Sequence, residues 1–401
     1  GGRTDYRYDF MNRLTDTVHP DGSHERVLWD GEGNIRKKVH PNAYDERTRD
    51  GEGTFYDYDL DNRLIRIHYP DGGVERLFYD GAGNRIGHVL PEQYEEASDA
   101  GAGWTYEYDE GNRLVSVTGP DGVLEHTYVY DLWGNCTRRT DGKGCSAYYA
   151  YDLAGRLIRE LAPAGEEAGN VSYRMTSYIY DDNGNRIKEV RHGGRYGAEG
   201  QLLAEGEDLT LTFSYDARNR LVRVEDGLGA EVFYRYDARG NRTSEEQVIR
   251  SGGENAGRRV LRKIRYRYDR AGRLIKKTEL LDDGFSGEMQ EPPVKAVTGY
   301  AYDEDGNLIA VTTPEGYCIS RKHDSRGRIT EECMEDKENG IRRTTRIAYD
   351  KAGNILSVRQ EGKDGQAREI SYGYDLKDRL VHAAELDGPV FGFSYDRNDR
   401  K

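Results

Sequence analysis

A short aromatic-Asp pattern recurs sixteen times along the 401 residues, and this repeat constrains the fold more than any other feature. Repetition of this kind is typical of chains that use one supersecondary unit many times. The first residues of the sixteen copies are Tyr8, Trp29, Tyr58, Tyr79, Tyr108, Tyr130, Tyr151, Tyr180, Tyr215, Tyr236, Tyr268, Tyr302, His323, Tyr349, Tyr374 and Tyr395. Because the copies cover nearly the whole chain, we predict one repeat region over residues 1–401 with no separate catalytic domain.

Two versions of the pattern alternate along the chain. One version ends in Arg-Leu or Arg-Ile, as in Gly155-Arg156-Leu157, and the other ends in Gly-Asn, as in Gly184-Asn185. Strict alternation fails only at the last copy, which ends in Asp-Arg. The alternation predicts that the structural unit is a pair of copies.

Each copy has the composition of a tight hairpin turn. An Asp at the start of a turn accepts hydrogen bonds from the amides that follow it. The residue four positions after the aromatic is Gly, Asn or Asp in every copy, and these residues tolerate the left-handed backbone of a type I turn with a bulge. The sequence Pro-Asp-Gly predicts a second kind of turn at the opposite end of the strands. The turn residues that we single out are Tyr58, Asp59, Asn62, Tyr151, Asp152, Gly155, Tyr268, Asp269 and Gly272 in the aromatic-Asp turns, and Pro70, Asp71 and Gly72 in the other kind.

The segments between the turns have the composition of strands. Residues 64–69 and 74–79 mix β-forming and charged residues over six positions, and no helical period is present. The sequence therefore predicts an all-β protein, a continuous run of antiparallel hairpins. Three longer spacings, near residues 191–208, 244–258 and 281–296, are predicted to be loop insertions.

The composition favours a β structure with half-buried surfaces over a globule with a dry centre. Hydrophobic residues make up 35% of the chain, charged residues make up 33%, and the mean hydropathy is −0.92. Tyrosine outnumbers phenylalanine 31 to 8, and a tyrosine ring can pack while its hydroxyl stays in water. The net charge of −14 disfavours nucleic acid as a partner, and acidic residues are expected to dilute the arginines everywhere. No apolar run is long enough to span a membrane.

The residue pattern supports no catalytic, cofactor or metal site. Asp57, Asp59 and Asp61 alternate like the first ligands of a calcium loop, but the twelfth position holds His68 where such a loop needs Glu. Turn formation is the favoured interpretation of these aspartates. The nine histidines match no ligand or nucleophile motif, and the four cysteines form no C-x-x-C pair. A disulfide between Cys136 and Cys145 is an alternative to four free, partly buried thiols.

The repeat resembles the YD/RHS repeat family. Residues 151–157 and 268–274 both read Tyr-Asp-x-x-Gly-Arg-Leu, and sixteen related copies in order make the resemblance specific. The family includes bacterial polymorphic toxins, shell components of insecticidal toxin complexes, and the teneurins. The resemblance implies a long antiparallel sheet that spirals into a hollow cocoon, a β-solenoid shell. In the bacterial members the cocoon encloses a C-terminal toxin domain.

One family feature is missing from this sequence. Bacterial members end the repeat region with an Asp-Pro-x-Gly motif associated with self-cleavage, and no Asp-Pro pair occurs here. Self-cleavage is therefore assigned to no residue. The sequence stops inside its sixteenth copy, which suggests a fragment of a longer Rhs-type toxin.

The functional prediction is a structural shell and not an enzyme. By resemblance, its partner is an enclosed toxin or effector domain absent from this chain, with secretion-system or other shell components as further partners, and it acts outside the producing cell. The alternative is an extracellular repeat module that binds carbohydrate or a cell surface. Arginine and tyrosine stripes could stack on sugars, but a cross-strand ladder of arginines over tyrosine rings explains the same pattern.

Overall fold

The protein is all-β in a computed structural model, as the repeat predicts. The described residues are 2–167, 170–250, 258–281, 294–336, 338–363 and 365–401, and no helix occurs among them. The first strands are β1 Asp5–Tyr8, β2 Leu14–Val18, β3 His24–Trp29, β4 Ile35–Val39, β5 Gly53–Tyr58, β6 Leu64–His68, β7 Val74–Tyr79, β8 Arg85–Val89, β9 Tyr94–Glu95, β10 Ala100–Gly101 and β11 Trp104–Tyr108. The middle strands are β12 Leu114–Thr118, β13 Leu124–Tyr130, β14 Cys136–Asp141, β15 Ser146–Tyr151, β16 Leu157–Glu167, β17 Asn170–Tyr180, β18 Arg186–Arg191, β19 Arg195–Tyr196, β20 Leu202–Ala204, β21 Leu209–Tyr215, β22 Leu221–Asp226, β23 Ala230–Tyr236, β24 Arg242–Arg250, β25 Arg258–Tyr268 and β26 Leu274–Leu281. The last strands are β27 Val294–Tyr302, β28 Leu308–Thr312, β29 Tyr317–His323, β30 Ile329–Asp336, β31 Ile341–Tyr349, β32 Ile355–Gly362, β33 Ala367–Tyr374, β34 Leu380–Glu385 and β35 Val390–Gly392.

The chain divides into two compact units. The first unit combines Gly1–Thr105 with Tyr300–Lys401, and the second unit is Tyr106–Gly299. Within each unit, strands that follow one another in the sequence pair antiparallel, as β6 does with β7 and β33 does with β34. This pattern confirms the predicted fold class of repeated antiparallel hairpins.

The first unit has a regular meander in each of its two segments. Between β8 and β11 the chain forms a small ribbon, in which β9 pairs only with β10. The loop before β5 has a corresponding isolated bridge between Asp45 and Asp50. These two loops lie fifty residues apart, so they belong to successive copies of one larger repeat.

The second unit contains one departure from the meander. Strand β18 pairs with β21, while the intervening strands β19 and β20 pair with each other, and β19 also pairs with β17 at Tyr173 and Tyr196. Tyr173 and Tyr196 join Leu161 in a small buried cluster, each less than 10% exposed. Elsewhere among the described residues most apolar side chains are half-buried, which agrees with the tyrosine-rich composition.

The structure corrects the prediction of three loop insertions. Residues 244–250 are not a loop, because they continue strand β24 and pair with β23 and β25. The adjacent β-forming residues Val248 and Ile249 favour this extension. The first insertion, 191–208, contains strands β19 and β20. Residues 251–257 and 282–293 of the other two insertions lie outside the described residues.

Two further findings concern the cysteines and membrane-spanning helices. All four cysteines are free thiols with intermediate exposure, so Cys136 and Cys145 form no disulfide. No helix in the described part of the chain could cross a membrane.

Candidate functional site: the paired turns

The sixteen aromatic-Asp turns share one backbone geometry. In every copy the residue four positions after the aromatic has a positive φ, between 59° and 108°. Four are Asn, two are Asp and ten are Gly: Asn12, Gly33, Asn62, Gly83, Asn112, Gly134, Gly155, Gly184, Asn219, Gly240, Gly272, Gly306, Gly327, Gly353, Asp378 and Asp399. The left-handed residue places a bulge beside the turn, and this bulge keeps the two strands of the hairpin in register.

The turn aspartate holds this conformation through its carboxylate. Asp152 accepts hydrogen bonds from the backbone amides of Ala154 and Arg156, both at 2.9 Å, and its second oxygen accepts from Arg156 Nε at 2.7 Å. The amide and the guanidinium of Arg156 lower the pKa of this carboxyl below its usual range. Asp59 and Asp269 have the same contacts with the arginine four residues later. The carboxylate therefore acts as the centre of the turn.

In seven pairs the arginine of the first copy also contacts the second copy. Arg156 Nη1 donates to the carbonyl oxygen of Asp181 at 2.9 Å, and its guanidinium carbon lies 5.0 Å from the centre of the Tyr180 ring. In return, the Tyr180 hydroxyl donates to the carbonyl oxygen of Leu157 at 2.8 Å. These contacts explain why Arg-Leu copies alternate with Gly-Asn copies: the pair is a single interlocked unit.

The same interlock recurs along both units. An arginine covers the next aromatic ring at 4.7–5.5 Å in the pairs Arg13–Trp29, Arg63–Tyr79, Arg113–Tyr130, Arg156–Tyr180, Arg220–Tyr236, Arg328–Tyr349 and Arg379–Tyr395. The last pair is informative because the sequence alternation fails there. Tyr395 still lies under Arg379 and its hydroxyl donates to Leu380 at 2.8 Å. The geometry therefore continues where the sequence pattern changes.

The asparagine of the second copy links pairs to one another. Asn185 Nδ2 donates to Asp181 of its own turn and to the side-chain oxygen of Asn219 in the following pair, both at 2.9 Å. Asn34 makes the equivalent bond to Asn62 at 2.8 Å. Turns of successive pairs are thus joined side chain to side chain along the edge of the sheet.

Removal of one interlocking hydroxyl tests the pair directly. Tyr180→Phe deletes the hydrogen bond to Leu157 while keeping the ring under Arg156. We expect the free energy of unfolding to fall by about 1 kcal/mol, the usual net value of one intramolecular hydrogen bond. The control is Tyr6→Phe, because Tyr6 is 57% exposed and lies outside this interlock. Equal chemical-denaturation midpoints for both variants and the parent would contradict the assignment.

The Pro-Asp-Gly turns join the two segments of the first unit. Asp71 accepts from Arg379 at 3.1 Å and from Lys377 at 3.4 Å, although these residues lie more than 300 positions later in the chain. Asp21 makes the same kind of contact with Arg328, at 2.9 Å. The chain therefore returns to its own first turns, and these aspartates bind the arginines of later turns.

A buried carboxylate lies beneath the first hairpins of the same unit. The Asp16 side chain is fully buried, and it accepts from Arg26 Nη1 at 2.6 Å and from Thr15 at 2.9 Å, with Arg49 at 3.5 Å. Burial raises the pKa of Asp16, but the hydrogen bonds from Thr15 and Arg26 outweigh it, so the pKa lies below its usual range. Beside them, His24 stacks on Tyr44 with ring centres 4.3 Å apart.

The next copy of the larger repeat carries the same cluster with two charges exchanged. Arg66 lies fifty residues after Asp16, and Asp99 lies fifty residues after Arg49. The third position holds an arginine in both copies, Arg26 and Arg76. Asp99 accepts from Arg66 Nε at 2.8 Å and from Arg76 Nε at 3.2 Å. The compensating exchange indicates that the loop before β5 and the loop before β11 are each anchored to their strands by an ion-pair network of the same kind.

Asp99 makes stability depend on pH in a defined window. The hydrogen bond from Arg66 is the largest cause that lowers the pKa of Asp99, from 3.8 to about 2. Because the pKa in the folded state is lower than in the unfolded state, this contribution is present above pH 3.8 and is lost as the pH falls towards 2. We therefore expect the melting temperature of Asp99→Asn to fall less than that of the parent when the pH is lowered from 5 to 2.5. An identical pH dependence in parent and variant would show that Asp99 does not contribute.

The aspartates considered for calcium are engaged elsewhere. Asp57 accepts from His68 at 2.8 Å, Asp59 centres its turn, and Asp61 pairs with Arg63 at 3.2 Å. In the part of the chain that the structure describes, no group of three or more His, Cys, Asp or Glu residues is arranged to hold a metal.

Comparison with known proteins places these turns in a family. The family model described as RHS Repeat matches residues 96–124, 215–247 and 302–332. Each matched segment contains at least one of the turns described above. These three segments of the chain are RHS repeats. The segment 215–247 contains one complete interlocked pair, that of Arg220 and Tyr236.

The similar proteins include one named as a deoxyribonuclease and one named as a toxin. The chain is 28% identical over 225 residues to the Dickeya dadantii protein named "Probable deoxyribonuclease RhsA", an alignment that covers 54% of this chain and 14% of the relative. It is 30% identical over 197 residues to "Toxin protein Tse5" of Pseudomonas aeruginosa, covering 46% and 12%. The chain thus spans only about one seventh of the length of these relatives. The crystal structure of TcdB2-TccC3 is also similar, with 14% identity, a TM-score of 0.43, and coverage of 94% of this chain and 23% of that one.

Proposed function

We propose that this RHS repeat chain is part of a spiralling, hollow β-shell that encloses a toxin or effector polypeptide and protects it during delivery outside the producing cell. The chain is proposed to act as a wall and to carry no catalysis. The enclosed toxin domain lies outside this chain, and secretion-system or other shell components are further partners. The toxin relatives support the context of the proposal.

The observation that carries the proposal is the way in which the turns are joined. Arginine and asparagine side chains bind each turn to the next along the sheet edge, and the Pro-Asp-Gly turns bind segments more than 300 residues apart. A wall needs such lateral joints, because a single sheet layer buries few apolar side chains. An enzyme or a small binding domain has no comparable need for joints that repeat through the chain.

Protection of a reporter tests the proposal. An unfolded reporter peptide with a single protease site is fused after Lys401, and its cleavage rate is compared with that of the free reporter. We expect at least tenfold slower cleavage in the fusion. The matched control is the same fusion carrying Gly155→Val and Gly272→Val, which weaken two turns and should restore fast cleavage. Equal rates in the parent fusion and the free reporter would contradict the proposal.

One observation favours the alternative of a surface-binding module. Leu132, Trp133 and Leu153 project from the tips of adjacent turns, with exposures of 96%, 76% and 97%. An exposed indole at a turn tip could stack on a sugar ring. A glycan array should then give reproducible hits that Trp133→Ala abolishes, whereas an array without hits argues against this module.

A further inference from the structure

One stretch of the chain is strongly basic, although the protein as a whole is acidic. Residues 258–277 contain ten lysines and arginines and a single acidic residue, Asp269, although the net charge of the chain is −14. The stretch forms strand β25, the following turn and the start of β26, all in the second unit. The expectation that acidic residues dilute the arginines everywhere is therefore wrong here.

The two faces of β25 differ in how these cations are paired. On one face Arg262 Nε donates to Glu279 at 2.5 Å, and Lys277 lies 3.1 Å from the same carboxylate. On the other face Lys263 pairs with Glu246 at 2.7 Å, but Arg265 and Arg267 have no acidic partner among the described residues. Both of these cations on the first face thus contact a carboxylate, and the second face keeps two arginines without one in the described part of the chain.

Strand register gathers further cations on the unpaired face. Arg267 lies directly opposite Lys276 on β26, while Arg265 lies between Ser244 of β24 and Thr278 of β26. Directly opposed like charges destabilise a sheet unless something compensates them. With Arg235 and Lys295, these side chains line a depression of about 570 Å³ that runs across five strands. No described acidic residue lines it.

We propose that this depression is a binding site for a carboxylate-rich polypeptide segment. Arginine forks match the geometry of carboxylates, and the long stems of Lys263, Lys276 and Lys295 adapt to an extended chain. Five strands span about 19 Å at the usual strand spacing, which is the length of roughly six extended residues. The inference rests on the proposed function, because it names the chemistry of the polypeptide that the wall contacts.

The depression suits a polypeptide better than a nucleic acid. Proteins that bind single-stranded nucleic acid place aromatic rings beneath the bases. Tyr266 is the only aromatic residue among the described residues at the depression, and strand alternation directs its side chain to the opposite face, with Arg262 and Ile264. Serine, threonine and aliphatic stems line the remainder.

Binding of a fluorescent decaglutamate peptide to the full chain tests the site. Fluorescence anisotropy at about 50 mM salt should show saturable binding that weakens as salt is added. The variant R265Q/R267Q/K276Q should bind at least tenfold more weakly. The control R138Q/R139Q/K143Q removes the same number of exposed positive charges elsewhere in the second unit and should bind like the parent.

Each outcome decides between defined alternatives. Absence of decaglutamate binding to the parent, equal losses in both variants, or binding of a deca-thymidine oligonucleotide but not of decaglutamate would each overturn the proposal. The R265Q/R267Q/K276Q variant should melt at or above the parent temperature, because a like-charge contact is relieved. A lower melting temperature would assign these cations a structural role instead. The same three substitutions are also tested in the reporter fusion. If the reporter stays protected, the shell function does not depend on this site, and the two proposals can fail separately.

Discussion

Replacing Gly155 by valine is expected to lower the free energy of unfolding by about 2–3 kcal/mol, measured by chemical denaturation. Gly155 has a φ of +74°, a left-handed conformation that costs an L-residue about 1–2 kcal/mol and costs a β-branched residue more. An added Cβ would come no closer than 3.4 Å to Asn135 Oδ1, so steric overlap contributes little. Gly272→Val should behave alike, because the space around Gly272 is also open.

The matched control is Gly155→Asn. Asparagine occupies the corresponding position in four other copies, including Asn62 at φ 61° and Asn219 at φ 59°. We therefore expect this variant to lose no more than about 1 kcal/mol. If valine and asparagine cost the same, the left-handed backbone is not what the turn requires of this position.

Replacing Asp16 by alanine is expected to cost about 3 kcal/mol, at the lower end of the range for breaking a buried ion pair. The Asp16 side chain is completely buried, and its removal leaves Arg26, itself only 17% exposed, without its carboxylate. The lower end applies because Arg49 is 52% exposed and can turn towards water. The measurement is again chemical denaturation, and an unchanged midpoint would contradict the assigned network.

The second copy of the larger repeat supplies the control for this prediction. Asp16→Arg should destabilise at least as much as alanine, because it places two arginines beside Arg49. The double variant D16R/R49D reproduces the arrangement of Arg66, Arg76 and Asp99. It should recover most of the lost stability, and a double variant no more stable than D16R would show that the two loops are not equivalent.

The local geometry of the turns follows closely from the sequence because short-range chemistry determines it. Asp152 and Gly155 lie within one turn, and a carboxylate followed by a left-handed residue has few other solutions. The pairing of copies could also be inferred from alternation. The cause of this pairing could not be inferred from the sequence, because the contacts of Arg156 with Tyr180 and Asp181 cross between hairpins.

Longer-range features do not follow from the sequence because they depend on the register between strands. The exchange of Asp16 and Arg49 for Arg66 and Asp99 is visible in the sequence as opposite charges at positions fifty residues apart, but the contact between the two positions is not. The cationic run at 258–277 is visible in the sequence, but which of its side chains stay unpaired depends on the strands beside them. The composition of residues 244–250 predicts a loop, whereas pairing with both neighbouring strands extends β24 through them.

Small-angle X-ray scattering of the purified chain tests the central claim, a wall of interlocked hairpins, most directly. A filled globule of 401 residues should have a radius of gyration of about 21 Å and a symmetrical distance distribution. The wall predicts a clearly larger radius and the distance distribution of a hollow or curved sheet. A value near about 21 Å with a symmetrical distribution would contradict the claim.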